Sequence, residues 1–108
     1  MPPLPFRSRV ATLLRVKAIE LLVRSDEWNP SIRRAFFAHL DKPMKDDARL
    51  GYCDRKAWFL ARGSDPRKHA AAIALLDWAL AAFTHAGDEA LRNARATRGE
   101  LRRTQARK

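Results

Sequence analysis

The most apolar stretch of the chain runs from Ala70 to Phe83 and contains one charged residue, Asp77. A helix over 66–86, turning about 100° per residue, places Asp77 in a narrow seam of small residues. Large residues form a ridge on each side of this seam: Ile73, Leu76, Leu80 and Phe83 on one, Leu75 and Trp78 on the other. The pattern predicts a central helix that packs on at least two sides.

The seam around Asp77 has two interpretations. It faces solvent, or it makes a close contact with another helix or subunit in which Asp77 meets an arginine. No basic residue lies three or four positions from Asp77, so in the second case the partner comes from another segment. An unpaired carboxylate would be too costly to bury in its charged form.

Helical spacing predicts two segments before this region. Ser8 is placed to cap a mostly buried helix that runs to about Arg24, after an extended, proline-rich start. Asn29 and Pro30 form a helix start signal, and the helix that follows, roughly 30–41, is expected to bury Ile32, Phe36 and Leu40. Phe37 lies off that buried line.

The stretch 44–62 reads as one helix or as two short helices divided at Gly51, and a strand at 57–61 is a less favoured alternative. Ser64 or Asp65, followed by Pro66, gives a strong start for the central helix. Gly87 is expected to end that helix, and Asp88 is placed to cap the next.

These elements predict an all-α fold, a compact bundle of four to five helices with a central apolar helix near 66–86. Residues 1–90 are expected to form a single helical domain, and residues 91–108 an arginine-rich C-terminal helix or tail. The apolar stripe of that last segment is thin, consisting of Leu91, Ala94 and Leu101. We therefore expect it to fray at its end and to contribute little to the core.

Charge is concentrated at the C-terminus. The chain carries a net charge of +10, and residues 91–108 hold seven basic groups against the single acid Glu100. Arginine suits phosphate because its planar fork donates two parallel hydrogen bonds and stays charged. A short basic tail can also serve solubility alone, or attract an acidic protein. A membrane helix would need a broad apolar face, which this segment lacks.

The sequence gives little sign of catalysis, so we expect a non-enzyme without cofactor or metal. It has no glycine-rich phosphate loop, no paired cysteines and no nucleophile motif. His69, Asp77 and His85 are eight residues apart and cannot converge on a metal from one helix, so the histidines are read as surface residues. Cys53 reads as a small core residue.

Location and origin follow from weaker signals. No signal peptide is visible, and the apolar run is shorter than the roughly 20 residues that span a bilayer, so the cytoplasm is the expected location. The composition, rich in alanine and with more arginine than lysine, is typical of GC-rich bacteria.

A helix-turn-helix over 32–62 is only weakly indicated, because the turn at 41–44 lacks the usual glycine. Most aromatic residues fall on apolar helical faces and read as core: Phe36, Phe37, Trp58, Phe59, Trp78 and Phe83. Trp28 and Tyr52 are instead candidates for surface contacts, and Asp77 for a contact with a partner.

The favoured function is that of a small bacterial regulatory or accessory protein that binds DNA or RNA through its C-terminal segment. The candidate phosphate-binding residues are Arg92, Arg95, Arg98, Arg102 and Arg103. The alternative is a protein-interaction regulator, an anti-activator or adaptor, which acts through an apolar helical face or a homodimer interface. These two hypotheses differ in where the excess apolar surface lies.

Overall fold

The structure is a computed structural model that describes residues 30–107. It contains four helices: α1 (Pro30–Leu40), α2 (Asp46–Ala61), α3 (Pro66–Ala82) and α4 (Asp88–Ala106). No strand occurs within 30–107, so the all-α prediction is confirmed over this range. The predicted helix near 8–24, Trp28 and the side chain of Ile32 lie outside the described residues. None of the four helices has the length and apolar character that crossing a membrane requires.

Helices α2, α3 and α4 pack together around one core. The connections at 62–65 and 83–87 are short, which makes successive helices antiparallel and sets α2 parallel to α4. The largest share of the core comes from α3: His69, Ala71, Ala72, Ile73, Leu75, Leu76, Trp78 and Ala79. The prediction of a central apolar helix packed on two sides is therefore confirmed.

Helix α3 begins where its capping signal predicts. Asp65 accepts a hydrogen bond from the Arg67 backbone N–H at 2.9 Å, and Pro66 occupies the first turn. The helix ends at Ala82, before the predicted end at 86. Phe83 leaves the helical conformation and buries its ring against Trp78, with 5.6 Å between ring centres.

Helix α2 is one continuous helix, so the division at Gly51 and the strand at 57–61 are both wrong. A helix tolerates one glycine when its other residues pack well, and Leu50, Cys53, Ala57 and Leu60 are all buried. At the start of α4 the cap position is taken by Gly87, with Asp88 in the first turn.

Helix α1 packs through its aromatic residues. The ring of Phe36 meets that of Phe37 edge to face at 5.0 Å, and Phe37 meets Trp78 at 5.5 Å. Phe37 lies off the line of Phe36 and Leu40 along the helix, yet it is only 6% exposed, which confirms that it is a core residue. The reason is tertiary, since Phe36 and Phe37 contribute to the same cluster from two sides of a short helix.

Candidate nucleic-acid interface

The C-terminal arginines are carried by a helix that belongs to the core. Helix α4 packs against both α2 and α3 and buries Ala94, Thr97 and Leu101. The expectation that this segment contributes little to the core is therefore wrong. Ala94 is small enough for close helix approach and Leu101 fills the space beyond it, so a thin stripe is enough.

A buried histidine adds a polar link between α3 and α4. The Nε2 atom of His69 lies 2.6 Å from the Leu101 carbonyl oxygen. Since a carbonyl oxygen can only accept a hydrogen bond, Nε2 carries the proton and donates it. Its Nδ1 is buried without a hydrogen-bond partner among the described residues. His69 is 2% exposed, so its placement on the surface was wrong. His85, in contrast, is exposed.

The seam around Asp77 is the least buried side of α3, and arginines of α4 reach the Asp77 carboxylate there. Its Oδ1 accepts hydrogen bonds from Arg98 Nη1 at 3.2 Å and from Arg102 Nη2 at 2.8 Å. No residue of the seam is buried, so the solvent-facing interpretation agrees with the structure and the seam alanines are not buried in a helix contact. The arginine partner from another segment, which the second interpretation expected for Asp77, is confirmed within one chain. The three side chains are between 28% and 53% exposed, so each ion pair stabilises the fold by about 1 kcal/mol or less.

The five candidate arginines therefore differ in their surroundings. Arg92 and Arg95 are exposed and make no ion pair with a described residue. Arg103 is 62% exposed and pairs with Glu100, one turn before it, at 2.9 Å. Arg98 and Arg102 are directed towards Asp77, and Arg98 is the most buried of the set, at 28% exposed.

One end of the three-helix bundle has a clear basic excess. Because α2 and α4 are parallel and α3 is antiparallel to both, the C-termini of α2 and α4 meet the N-terminus of α3. We call this the basic end. Its charged residues are Arg62, Arg67, Lys68, Arg102, Arg103 and Arg107 against Asp65 and Glu100. A hydrogen bond from the Arg67 side chain lowers the pKa of Asp65, and one from Arg103 lowers the pKa of Glu100.

The opposite end, here the loop end, contains the N-termini of α2 and α4 and the loop 83–87. Its acids, Asp41, Asp46, Asp47, Asp88 and Glu89, are close to balanced by Lys42, Lys45, Arg49 and Arg92. Two of these acids hold the loop: Asp46 accepts from the His85 backbone N–H at 3.2 Å, and Asp47 accepts from Gly87 at 2.6 Å. A Cβ on Gly87 would lie 3.2 Å from the Asp47 carboxylate, so glycine permits this close approach.

A cleft of about 340 Å³ lies between α2 and α4. It is lined by Asp47, Asp54 and Glu89, together with Arg55 and Asn93. Three carboxylates around one guanidinium do not suit a phosphate group. No cluster of three or more His, Cys, Asp or Glu side chains suited to a metal ion is found within 30–107.

Two aromatic residues contradict the prediction that they are core. Trp58 is 47% exposed and Phe59 is 65% exposed. Both follow directly after the buried Ala57 on α2, where their residue type suggested burial but the neighbouring helices do not reach them. The four-residue pattern Arg55, Trp58, Phe59 and Arg62, which falls on one helical face, was the available signal for an exposed aromatic and basic surface.

Tyr52, a candidate for surface contacts, lies partly buried beside α1, whereas Cys53 lies in the core. The Tyr52 ring is partly buried, stacks on Phe36 at 5.1 Å and lies 4.4 Å from the His39 ring. Burial raises the pKa of its hydroxyl, with a further contribution from the adjacent Cys53. Cys53 is fully buried and burial raises the pKa of its thiol, which fits the small core residue that was predicted.

Comparison of the chain with protein-family models, curated proteins and solved structures finds no match. The site is therefore interpreted from its own residues.

Proposed function

We propose that this protein is a small, non-catalytic bacterial regulatory or accessory protein that binds nucleic acid through the arginines of α4. The observation that carries the proposal is the basic excess on a docked helix. Arg92, Arg95 and Arg103 project from one packed helix into solvent. Side chains on a helix hold their relative positions better than those of a loose tail, so less freedom is lost on binding.

The arginines have unequal roles in this proposal. Phosphate contacts are provided first by Arg92, Arg95 and Arg103, whose side chains are not bonded to Asp77. Arg102 contributes through the donors that Asp77 leaves available, since a guanidinium has five N–H groups. Arg98 mainly fixes α4 against α3 through Asp77. Contacts of this kind give affinity and register, and they do not read base sequence.

The protein-interaction alternative draws on a different surface. Among the described residues, the apolar faces of α3 pack against α2 and α4, so they give this alternative little support. The exposed pair Trp58 and Phe59 is the apolar surface left to a partner among the described residues. The alternative function would act through this pair.

The test is the salt dependence of binding. Fluorescence anisotropy with short DNA and RNA oligonucleotides should show affinity that falls steeply as salt rises. About four phosphate contacts give a slope of log K against log salt near −3.6 for duplex DNA, or −2.8 for a single strand. Changing Arg92, Arg95 and Arg103 to alanine should make the duplex slope shallower by about 2.7.

A charge-matched control separates the effect of losing a binding site from the effect of lowering the net charge of the protein. Arg34, Lys42 and Lys45 are exposed and lie on α1 or the loop after it, so changing all three to alanine removes the same charge elsewhere. This control should leave the slope near that of the unmodified protein. Equal flattening by both triple variants, or no salt-sensitive binding by the intact protein, would defeat the proposal.

A further inference from the structure

An exposed face of α2 combines aromatic and basic side chains. Arg55, Trp58, Phe59 and Arg62 follow the spacing i, i+3, i+4, i+7, which places them on one side of the helix, and all four are exposed. We call this set the aromatic stripe. Adjacent helical residues diverge by about 100°, so the two rings lie on either side of the line that joins the two arginines.

The basic groups are close enough to act together with the rings. The guanidinium carbon of Arg62 lies 5.3 Å from the centre of the Phe59 ring, within the range of a cation–π contact. Arg55 and Arg62 are two helical turns apart, or roughly 10 Å along the axis. The stripe therefore offers two flat apolar faces and two anion-binding groups over a short length of helix.

We propose that the aromatic stripe is a base-stacking platform, and that single-stranded nucleic acid is the ligand class of this protein. The inference rests on the proposed function and names its substrate. Proteins that bind single strands combine a basic surface for the backbone with aromatic rings on which unpaired bases stack. In a duplex the bases are already stacked on each other, so the rings would find no partner.

Charge complementarity favours a nucleic-acid strand on the aromatic stripe over a second copy or another segment of this chain. A second copy docked through the same stripe would bring Arg55 and Arg62 of both copies together, in a protein with a net charge of +10. Residues 7–24, the other apolar segment of this chain, hold five basic groups and one acid. Both would add like charge to the stripe, whereas a polyanion with flat bases matches its rings and its arginines.

The stripe also borders α4. Arg55 lines the α2–α4 cleft opposite Asn93, which is next to Arg92 in the sequence. Of the three acids of the cleft, Asp47 and Glu89 lie towards the loop end and Asp54 lies next to Arg55. The favourable route for a strand therefore leads away from the cleft, towards the basic end. A single strand that stacks on Trp58 and Phe59 thus has the arginines of α4 within the same region.

Substitutions that keep apolar area but remove the flat rings test the platform. In the double variant Trp58→Leu, Phe59→Leu, binding of an oligothymidylate of about 15 nucleotides should weaken about 100-fold, or about tenfold per ring. Trp58→Phe, which keeps a ring, should stay within about threefold of the unmodified protein. Binding of duplex DNA by the double leucine variant should change less than about threefold. Circular dichroism checks that each variant remains folded.

Tryptophan emission gives a readout that depends on contact. Trp78 is buried, so in a chain that also carries Trp28→Phe the response to ligand comes from Trp58. Oligothymidylate should quench this emission, and Trp58→Phe in that background should abolish the quenching while binding persists.

The possible failures are distinguishable. Salt-sensitive binding that is equal in the unmodified and double leucine forms would overturn the platform and leave the proposed function standing. Absence of any nucleic-acid binding would overturn both. Two further results would overturn the platform and assign the stripe to a protein contact. One is a dimer in sedimentation that is lost in the double leucine variant. The other is binding of an acidic protein to the stripe, with oligothymidylate binding unchanged by the leucine substitutions.

Discussion

The two ends of the bundle use their charges differently. At the loop end, Asp46 and Asp47 accept hydrogen bonds from the backbone of the loop 83–87. Arg49 pairs with Asp46 at 3.0 Å and also donates to the Leu40 and Lys42 carbonyls at 2.8 and 3.0 Å. At the basic end, the two acids are each occupied by a neighbouring arginine, and the basic residues still outnumber them.

The difference separates structural charge from surplus charge. A group that satisfies a backbone N–H or carbonyl lowers the free energy of the folded state, because that backbone group would otherwise be left to solvent or unpaired. A cluster of like charges on one surface instead raises the free energy of the folded state slightly, because the charges repel each other. The basic end therefore carries more positive charge than its two acids neutralise, and the proposed nucleic-acid ligand would balance it.

Breaking the packing of α4 gives the largest expected effect. Leu101→Ala should reduce the free energy of unfolding by about 3 kcal/mol, because Leu101 is 3% exposed and its removal leaves a cavity between α3 and α4. Urea denaturation followed by circular dichroism measures this change. Arg103→Ala, on the exposed side of the same helix, should stay within about 0.5 kcal/mol. A similarly small loss for Leu101→Ala would mean that the C-terminal segment is a loose tail after all.

Removing the Asp77 carboxylate should lower the free energy of unfolding by less than the loss of Leu101 does. Asp77→Ala should cost at most about 1 kcal/mol of stability, since its ion pairs are partly exposed. It also releases Arg98, whereas Arg102 already counts among the four contacts, so the salt slope for duplex DNA should steepen by up to about 0.9. Asp41→Ala makes the same charge change in the exposed loop after α1 and serves as control. Equal effects of both substitutions would show that Asp77 does not compete for the two arginines.

Local signals in the sequence predicted the helices well. The Asp65 and Pro66 start depends on neighbouring residues alone, and it is confirmed to the residue. The seam at Asp77 also followed from helical geometry. Its partners could not be predicted, because Arg98 and Arg102 are brought there by the antiparallel packing of α3 and α4.

Burial was predicted less well, because it depends on what the other helices cover. Trp58 and Phe59 have the residue types of a core and are exposed, while His69 has that of a surface and is buried. Leu101 and Ala94 looked too sparse to hold a helix, yet α4 has contacts on two sides. The identity of a side chain sets the cost of exposure, and only the tertiary structure decides whether that cost arises.

The most direct test of the central claim is to map the bound surface. In ¹H–¹⁵N NMR spectra at low salt, titration with oligothymidylate should shift the Nε–H signals of Arg92, Arg95 and Arg103 and the indole N–H of Trp58. The Nε–H signal of Arg34, which is exposed on α1, should stay in place. Shifts centred on α1, or spread evenly over α1, α2 and α4, would contradict the account that the exposed arginines of α4 and the aromatic stripe form the nucleic-acid interface.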